Sequence, residues 1–241
     1  MNIEIPRRGT PKADASTDPV PAVAGKPPGL PVRTGAKGRS RRSFMHRIWS
    51  HRMRADIPYE SLLEADLVTV MCVDPAIHEF WAQPEWFRWR QDGRIRRYAP
   101  DFLVLATNGG RTYREVKPGR RLRKDPTLGG RRPDIEAQCD LRGATFETWT
   151  ETEIRRPPRL ENARRILLSA GPSWDSRILS ALRGAIRSGV PVATAGDLLG
   201  SAGLGAEGMG TLLGLAALDE IRVDIDRPLS LDSRLFGTRL T

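Results

Sequence analysis

Cysteine is scarce in this sequence, and its two copies, Cys72 and Cys139, exclude a disulfide framework and a cysteine-based zinc cluster. Long apolar runs are missing as well, since no stretch approaches the ~20 consecutive apolar residues that a membrane-spanning helix needs. The first residues, MNIEIPRRGTPK, contain no apolar segment of the kind that a secretory signal carries. We therefore expect a cytoplasmic protein, nucleoid-associated when bound to a partner, with no membrane contact.

Positive charge is what the sequence has in excess. Its 241 residues carry 39 Lys and Arg against 29 Asp and Glu, which gives a net charge of +10. Residues 1–54 hold twelve basic residues against three acidic ones, and residues 111–132 hold nine against two. A basic tail together with a basic inner segment favours a polyanionic partner, most often nucleic acid. For the tail alone, a solvated segment without a specific ligand is an equal alternative.

Composition divides the chain into three parts. Residues 1–43 hold seven prolines and five glycines without apolar periodicity, which predicts a disordered basic tail. Residues 44–170 mix helical and strand periodicity, which predicts an α/β unit with a mixed or mostly antiparallel sheet flanked by helices. Residues 172–241 are slightly acidic and rich in small residues. Their outline of three helices followed by a β-ribbon is typical of a small winged-helix-like domain.

Several elements of the α/β unit can be predicted individually. The segment from Ser43 to Ile57 is either an extended arm with apolar anchors or the start of the fold. A helix is predicted from near Pro58 to Val73, because its apolar residues recur with a helical period. Asp92-Gly93 and Asn108-Gly109 indicate β-hairpins. Residues 120–132, rich in Gly and Pro, are predicted to form a basic loop, followed by a helix over 133–144, a strand over 145–150, a capped helical turn over 150–154 and a helix over 161–170.

The residues that could perform chemistry are Asp101, Glu115 and Lys117. Glu115 and Lys117 are two positions apart on one predicted strand, so their side chains share a face. Asp101 begins the preceding strand, one short hairpin away. Two neighbouring carboxylates make a hard oxygen site suited to Mg²⁺ or Mn²⁺, which can lower the pKa of a bound water and stabilise charge on phosphorus. The lysine could orient that water or offset the charge of the transition state.

The hairpin between these strands provides a geometric check. A two-residue turn at Asn108-Gly109 would place Asp101 opposite Val116, on the wrong face. A loop one residue longer, Asn108-Gly109-Gly110, would place Asp101 opposite Lys117 and on the face of Glu115. We therefore predict a bulged or odd-length loop, which the paired glycines permit.

These residues match the pattern of the PD-(D/E)xK nuclease superfamily, with Pro100-Asp101 followed by Glu115-Val116-Lys117. The likeness extends further, because residues 38–170 resemble the TnsA family, the endonuclease subunit of Tn7-like transposons. The resemblance rests on GRS at 38–40, SLLE at 61–64, Gln83-Pro84, YAPDFLV at 98–104, EVKP at 115–118, TETEI at 150–154 and the helix that contains Asn162.

This resemblance implies a restriction-endonuclease-like fold and an enzyme that cuts the 5′ ends of the transposon by metal-dependent hydrolysis. It implies that Glu64, Asp101 and Glu115 are metal ligands and that Lys117 is the catalytic lysine. Glu60, one helical turn before Glu64, is the competing helix carboxylate, and the SLLE spacing favours Glu64. Gln83 would orient the substrate phosphate, although it could instead pair with backbone.

The resemblance also implies partners. They are the DNA of the transposon ends, a separate DDE-type transposase subunit (TnsB-like) and an AAA+ regulator (TnsC-like), which would dock on the C-terminal domain. The candidate DNA-binding residues lie in the basic arm and just after Lys117: Arg39, Arg41, Arg42, Arg47, His51, Arg120, Arg121, Arg123 and Lys124.

Two other functions fit parts of the sequence. A stand-alone repair or restriction nuclease would need the same acidic site, and a non-catalytic DNA-binding module would need only the basic segments. The presence of Lys117 distinguishes a nuclease from a non-catalytic DNA-binding module. A purely DNA-binding surface has no use for carboxylates beside a lysine, because the acids repel DNA unless a metal ion neutralises them.

Overall fold

The structure, a computed structural model, describes residues 46–91, 93–124, 126–171, 174–189 and 191–237, with the side chains of 126–128 left aside. The predicted tail over 1–43 lies outside the described residues, and so do Arg39, Arg41 and Arg42 within it. In the described part of the chain, no helix is long and apolar enough to cross a membrane.

The first part of the chain contains both strands and helices. In chain order they are β1 (His46–Ser50), β2 (Ala55–Tyr59), α1 (Leu62–Val73), β3 (Ile77–Ala82), β4 (Phe87–Gln91), β5 (Arg94–Tyr98), β6 (Phe102–Ala106), β7 (Arg111–Val116), α2 (Gly119–Leu122), α3 (Pro126–Asp140), β8 (Thr145–Trp149), α4 (Glu151–Ile154) and α5 (Arg159–Leu168). The remaining elements are α6 (Ser176–Arg187), α7 (Ala195–Ser201), a 3₁₀ turn (Ala206–Gly208), α8 (Met209–Ala217), β9 (Arg222–Val223) and β10 (Leu235–Phe236).

The central sheet has four strands in the order β3-β6-β7-β8. Strands β3, β6 and β7 pair antiparallel, whereas β7 and β8 pair parallel. A parallel pair requires a crossover connection, and α2 and α3 supply it. The prediction of a mixed sheet flanked by helices is confirmed at this level of detail.

Helix α1 begins later than predicted. Ser61 is its N-cap and accepts a hydrogen bond from the backbone N–H of Glu64, so the helix starts at Leu62 and not near Pro58. Pro58 lies in β2, which pairs antiparallel with β1. The segment before α1 is therefore the start of the fold, which decides between the two alternatives that the sequence left open.

Residues 120–132 are not a loop. They contain α2 and the first half of α3, which begins at Pro126 and continues through Pro133. Proline is tolerated at the first position of a helix, where no N–H is needed. Ile135 and Cys139 are fully buried against the sheet, and this packing stabilises a helix that its Gly and Pro content disfavours.

The two faces of the sheet are covered by different helices. Phe102 and Val104 of β6 point into the larger core, with α1 and α5, whereas Leu103 and Tyr113 point into a smaller core, with α3 and β4. Side chains alternate between the two faces along a strand, so Asp101, two residues before Leu103, and Glu115, two residues after Tyr113, belong to the smaller-core face.

Both cysteines are buried, and burial raises the pKa of the Cys72 thiol to about 11 and that of the Cys139 thiol to about 12.

The C-terminal elements pack directly on the α/β unit. Leu182, Leu198 and Leu212 belong to the same hydrophobic core as Leu67 of α1. Asn162 of α5 donates two hydrogen bonds across this contact, to the carbonyl oxygens of Ile225 (3.0 Å) and Arg227 (2.7 Å). Asn162, which belongs to the resemblance to the TnsA family, thus ties the segment that follows β9 to the α/β unit.

Candidate active site

The β6–β7 hairpin sets the geometry of the candidate site. Phe102 pairs with Arg114 and Leu105 with Arg111, so the same register, continued by one residue, places Asp101 beside Glu115. The loop has three residues, Thr107-Asn108-Gly109, and is closed by the Ala106 N–H donating to Gly110 O at 2.8 Å. Gly109 has φ +85°, a conformation that glycine adopts without steric cost.

The prediction of an odd-length loop is confirmed, but its position was wrong by one residue. The loop was predicted at Asn108–Gly110, which would have placed Asp101 level with Lys117. The actual loop shifts the pairing by two residues, so Asp101 is level with Glu115 and remains on the same face.

Asp101 is buried and held from two directions. Its Oδ2 accepts a 2.8 Å hydrogen bond from the backbone N–H of Val116 on the neighbouring strand. Its carbonyl oxygen accepts a 2.7 Å hydrogen bond from the N–H of Gln83. The carboxylate is therefore fixed at the end of the sheet, between β7 and the residue that follows β3.

Glu115 contacts both a tyrosine and a lysine. Tyr98, the last residue of β5, donates its hydroxyl proton to Glu115 Oε2 at 2.6 Å. The Lys117 ammonium lies 3.8 Å from Glu115 Oε1, and the Lys117 side chain is about one-quarter exposed. Glu115 is itself buried, so the lysine is the more accessible member of the pair. Tyr98 was not identified from the sequence as a site residue.

Glu64 closes the first turn of α1. Its two carboxylate oxygens accept hydrogen bonds from the Ser61 hydroxyl and from the Glu60 N–H, each at 2.9 Å. Part of the SLLE motif therefore forms a helix cap. Burial raises the pKa of Glu64, and the negative charges of Asp101 and Glu60 raise it further. A chain of hydrogen bonds, from Glu64 to Glu60, from Glu60 to Gln83 and from Gln83 to Asp101, links this carboxylate of α1 to the sheet site.

Glu60 precedes the helix cap, so the expectation that it lies one helical turn before Glu64 was wrong. Its Oε1 accepts a 2.8 Å hydrogen bond from the side-chain amide of Gln83. Gln83 is buried with φ +45°, and its Oε1 is a buried atom without a hydrogen-bond partner in the described structure. As placed, Gln83 offers an acceptor oxygen, which suits a cation or a water molecule.

The donor set has the chemistry that a hard divalent cation prefers. Among the described residues, no group of three or more His, Cys, Asp or Glu side chains is arranged to hold a metal ion. The groups at and near this end of the sheet are nevertheless oxygen donors: Asp101, Glu115, Glu64 and Gln83 Oε1, which has no hydrogen-bond partner in the described structure. Burial is the largest cause of the raised pKa of Glu64, and the charges of Asp101 and Glu60 add to it, so a bound cation would favour the ionised carboxylate.

The predicted DNA-binding residues within the described part of the chain lie at the surface. Arg47 and His51 are exposed on and just after β1, and Arg120, Arg121, Arg123 and Lys124 are exposed on and just after α2. The start of α2 is fixed by Glu151, whose Oε2 accepts a 2.8 Å hydrogen bond from Gly119 N–H. One residue, Pro118, therefore separates Lys117 from a helical turn that carries basic side chains.

The comparisons with known proteins add no family assignment. The sequence matches no protein-family model and no curated protein at a significant level. The arrangement of Asp101, Glu115 and Lys117 therefore carries the functional argument by itself.

Proposed function

We propose that this protein is a metal-dependent DNA endonuclease that hydrolyses phosphodiester bonds. The observation that carries the proposal is the β6–β7 register, which continued by one residue sets Asp101 beside Glu115, with the Lys117 ammonium 3.8 Å from Glu115. Acidic groups with a lysine among them, next to exposed basic residues, are unfavourable for DNA binding alone and favourable for metal-assisted cleavage.

The fold supports the same class. A mixed sheet with α1 on one face and α3 on the other agrees with the restriction-endonuclease-like architecture that the PD-(D/E)xK resemblance implies. The site lies where β6 begins and β7 ends: Asp101 immediately precedes β6, Glu115 is in β7 and Lys117 immediately follows β7. The surrounding basic residues lie on and just after α2 and β1.

Each side chain has a separate role in the proposed reaction. Asp101 and Glu115 would hold Mg²⁺ or Mn²⁺, with Glu64 and Gln83 Oε1 as further donors. The cation would supply a water of lowered pKa and offset charge on phosphorus. Lys117 would orient the attacking water or balance the added negative charge of the transition state. The basic residues of α2 would hold flanking phosphates without reading sequence.

The biological setting that we propose follows from the TnsA-like motifs. The chain would cut the 5′ ends of a Tn7-like transposon, together with a DDE-type transposase subunit and an AAA+ regulator. Helices α6, α7 and α8 with the β9–β10 ribbon would form the winged-helix-like module that docks the regulator. The slightly acidic charge of residues 172–241 favours a protein partner for this module over DNA.

Cleavage of end-labelled duplex DNA in Mg²⁺ and in Mn²⁺ tests the proposal. We expect metal-dependent nicking by the wild type and its loss in Asp101→Ala and Lys117→Ala. Asp140→Ala, which removes an exposed carboxylate at the end of α3, serves as the matched control and should cleave as the wild type does. Cleavage that is unchanged in both site variants would contradict the proposal.

The same assay separates the alternatives. A stand-alone nuclease would cut without other proteins, whereas a transposase subunit would cut only, or much faster, when its transposase and transposon-end DNA are added. A protein that binds DNA but cuts under neither condition would be a non-catalytic DNA-binding module.

A further inference from the structure

The hairpin β4–β5 carries an unusual density of positive charge. It contains five arginines between residues 87 and 98, and Asp92 is the single acidic residue in that part of the sequence. Its two strands pair antiparallel over five residue pairs, from Phe87 with Tyr98 to Gln91 with Arg94. It forms a separate two-stranded sheet, outside the central sheet. We refer to residues 87–98 as the arginine ribbon.

The outer face of the arginine ribbon brings like charges together. Arg88 lies directly opposite Arg97, and both are exposed. Like charges at directly opposed positions destabilise an antiparallel pair. Among the ion pairs that the described residues form, none involves Arg88 or Arg97. The same face carries Ile95, which is 60% exposed and lies opposite Arg90.

The inner face fixes the arginine ribbon to the candidate active site. Phe87 is fully buried and packs edge-to-face on Tyr113, with ring centroids 4.9 Å apart. Tyr98 donates its hydroxyl to Glu115 at 2.6 Å. The base of the ribbon is therefore held by the same strand that carries Glu115, and its exposed arginines have a fixed position relative to the site.

We propose that the outer face of the arginine ribbon is a duplex-DNA contact surface, with Arg88 and Arg97 on backbone phosphates and the ribbon lying along a groove beside the cleaved strand. This proposal rests on the proposed function, because the site it would serve is the nuclease site. Opposed arginines complement a polyanion and relieve their repulsion on binding it. A two-stranded ribbon fits the width of the DNA major groove, and the exposed Ile95 provides an apolar contact for base edges.

Binding of a fluorescein-labelled duplex to the full-length protein, measured by anisotropy over a salt series in chelator, tests this inference without cleavage. The Arg88→Ala/Arg97→Ala variant should raise Kd by roughly 10-fold or more. It should also reduce the slope of log Kd against log salt by about 2, since each phosphate contact contributes roughly 0.9. The Arg88→Lys/Arg97→Lys variant should retain the wild-type slope.

The matched control is Arg177→Ala/Arg187→Ala, which removes the same charge from exposed positions of α6 and should bind as the wild type does. Near-ultraviolet circular dichroism establishes that each variant is folded. An unchanged Kd and slope in the Arg88→Ala/Arg97→Ala variant would overturn the inference. So would an equal loss in the α6 control, or equal binding of single-stranded DNA or RNA with the same dependence on the ribbon.

Nicking in Mn²⁺ distinguishes failure of this inference from failure of the proposed function. Metal-dependent nicking by a wild type whose affinity does not depend on the ribbon would leave the nuclease proposal standing and reject the ribbon. Ribbon-dependent duplex binding without any cleavage would reject the nuclease proposal and retain the ribbon.

Discussion

Tyr98 is the residue whose role in the candidate site is most specific. Its hydroxyl donates to Glu115 Oε2 at 2.6 Å, and a hydrogen bond to a charged acceptor is stronger than one between neutral groups. We expect Tyr98→Phe to leave the fold intact and to slow nicking by about tenfold, because Glu115 loses the contact that orients it.

Single-turnover nicking rates and thermal unfolding measure the two effects of Tyr98→Phe separately. Tyr59→Phe, which removes a hydroxyl from β2, is the control and should nick at the wild-type rate. A Tyr98→Phe variant that cleaves as fast as the wild type would show that Glu115 needs no orientation by Tyr98.

Residues differ in how far the sequence can identify them. The spacing of Glu115 and Lys117 identifies a shared strand face, because side-chain direction alternates along any strand. Nothing near Tyr98 in the sequence signals its bond to Glu115, since the contact depends on how a separate hairpin packs on the sheet. Glu60 was placed on the helix because its distance from Glu64 fits a helical turn, whereas the Ser61 cap starts the helix two residues after Glu60.

At the scale of elements, the loop between β6 and β7 decides whether the acidic residues share a face. Gly109 has φ +85°, which costs an L-residue with a side chain about 1 kcal/mol or more. Gly129 lies in α3 with open space where a Cβ would be, and alanine is favoured over glycine there by roughly 0.5–1 kcal/mol.

We therefore predict opposite effects of two identical substitutions. Gly109→Ala should lower the free energy of unfolding by about 1 kcal/mol, and Gly129→Ala should raise it by about 0.5 kcal/mol. Urea denaturation measures both. Equal effects of the same sign would mean that the loop does not hold Gly109 in this conformation.

The hairpins and α3 show where element prediction succeeded and failed. Asp92-Gly93 and Asn108-Gly109 predict hairpins because these dipeptides suit tight turns, and strands flank both positions in the structure. Helix α3 could not be placed correctly because Gly129, Gly130 and Pro133 weaken the local helical signal. Its stability comes from burial of Ile135 and Cys139, which depends on the rest of the fold.

At the scale of the molecule, a buried ion pair joins the first hairpin to the C-terminal elements. Arg52 contacts Asp219 Oδ1 through Nε at 3.1 Å and through another guanidinium nitrogen at 3.0 Å, and both side chains are almost fully buried. Arg222 lies 3.7 Å from the same oxygen. Removal of the carboxylate charge would leave buried arginines uncompensated.

Asp219→Asn should therefore destabilise the protein by on the order of 3 kcal/mol. Asparagine tolerates the φ of +61° at this position, so the effect reports the charge. Asp226→Asn is the control, because Asp226 pairs with Arg156 and Arg159 while half exposed, and it should cost no more than about 1 kcal/mol. Calorimetry that resolves two independent transitions in the wild type would contradict the coupling.

We propose that Asp101, Glu115 and Glu64 together hold a divalent cation, and titration calorimetry with Mn²⁺ tests this proposal most directly. We predict that the wild type binds Mn²⁺ and that Asp101→Asn and Glu115→Gln weaken binding by roughly 10-fold or more. Glu64→Gln should weaken it while Glu60→Gln does not. Asp140→Asn should match the wild type. Binding that is absent in the wild type, or equal in Asp101→Asn, would contradict the account.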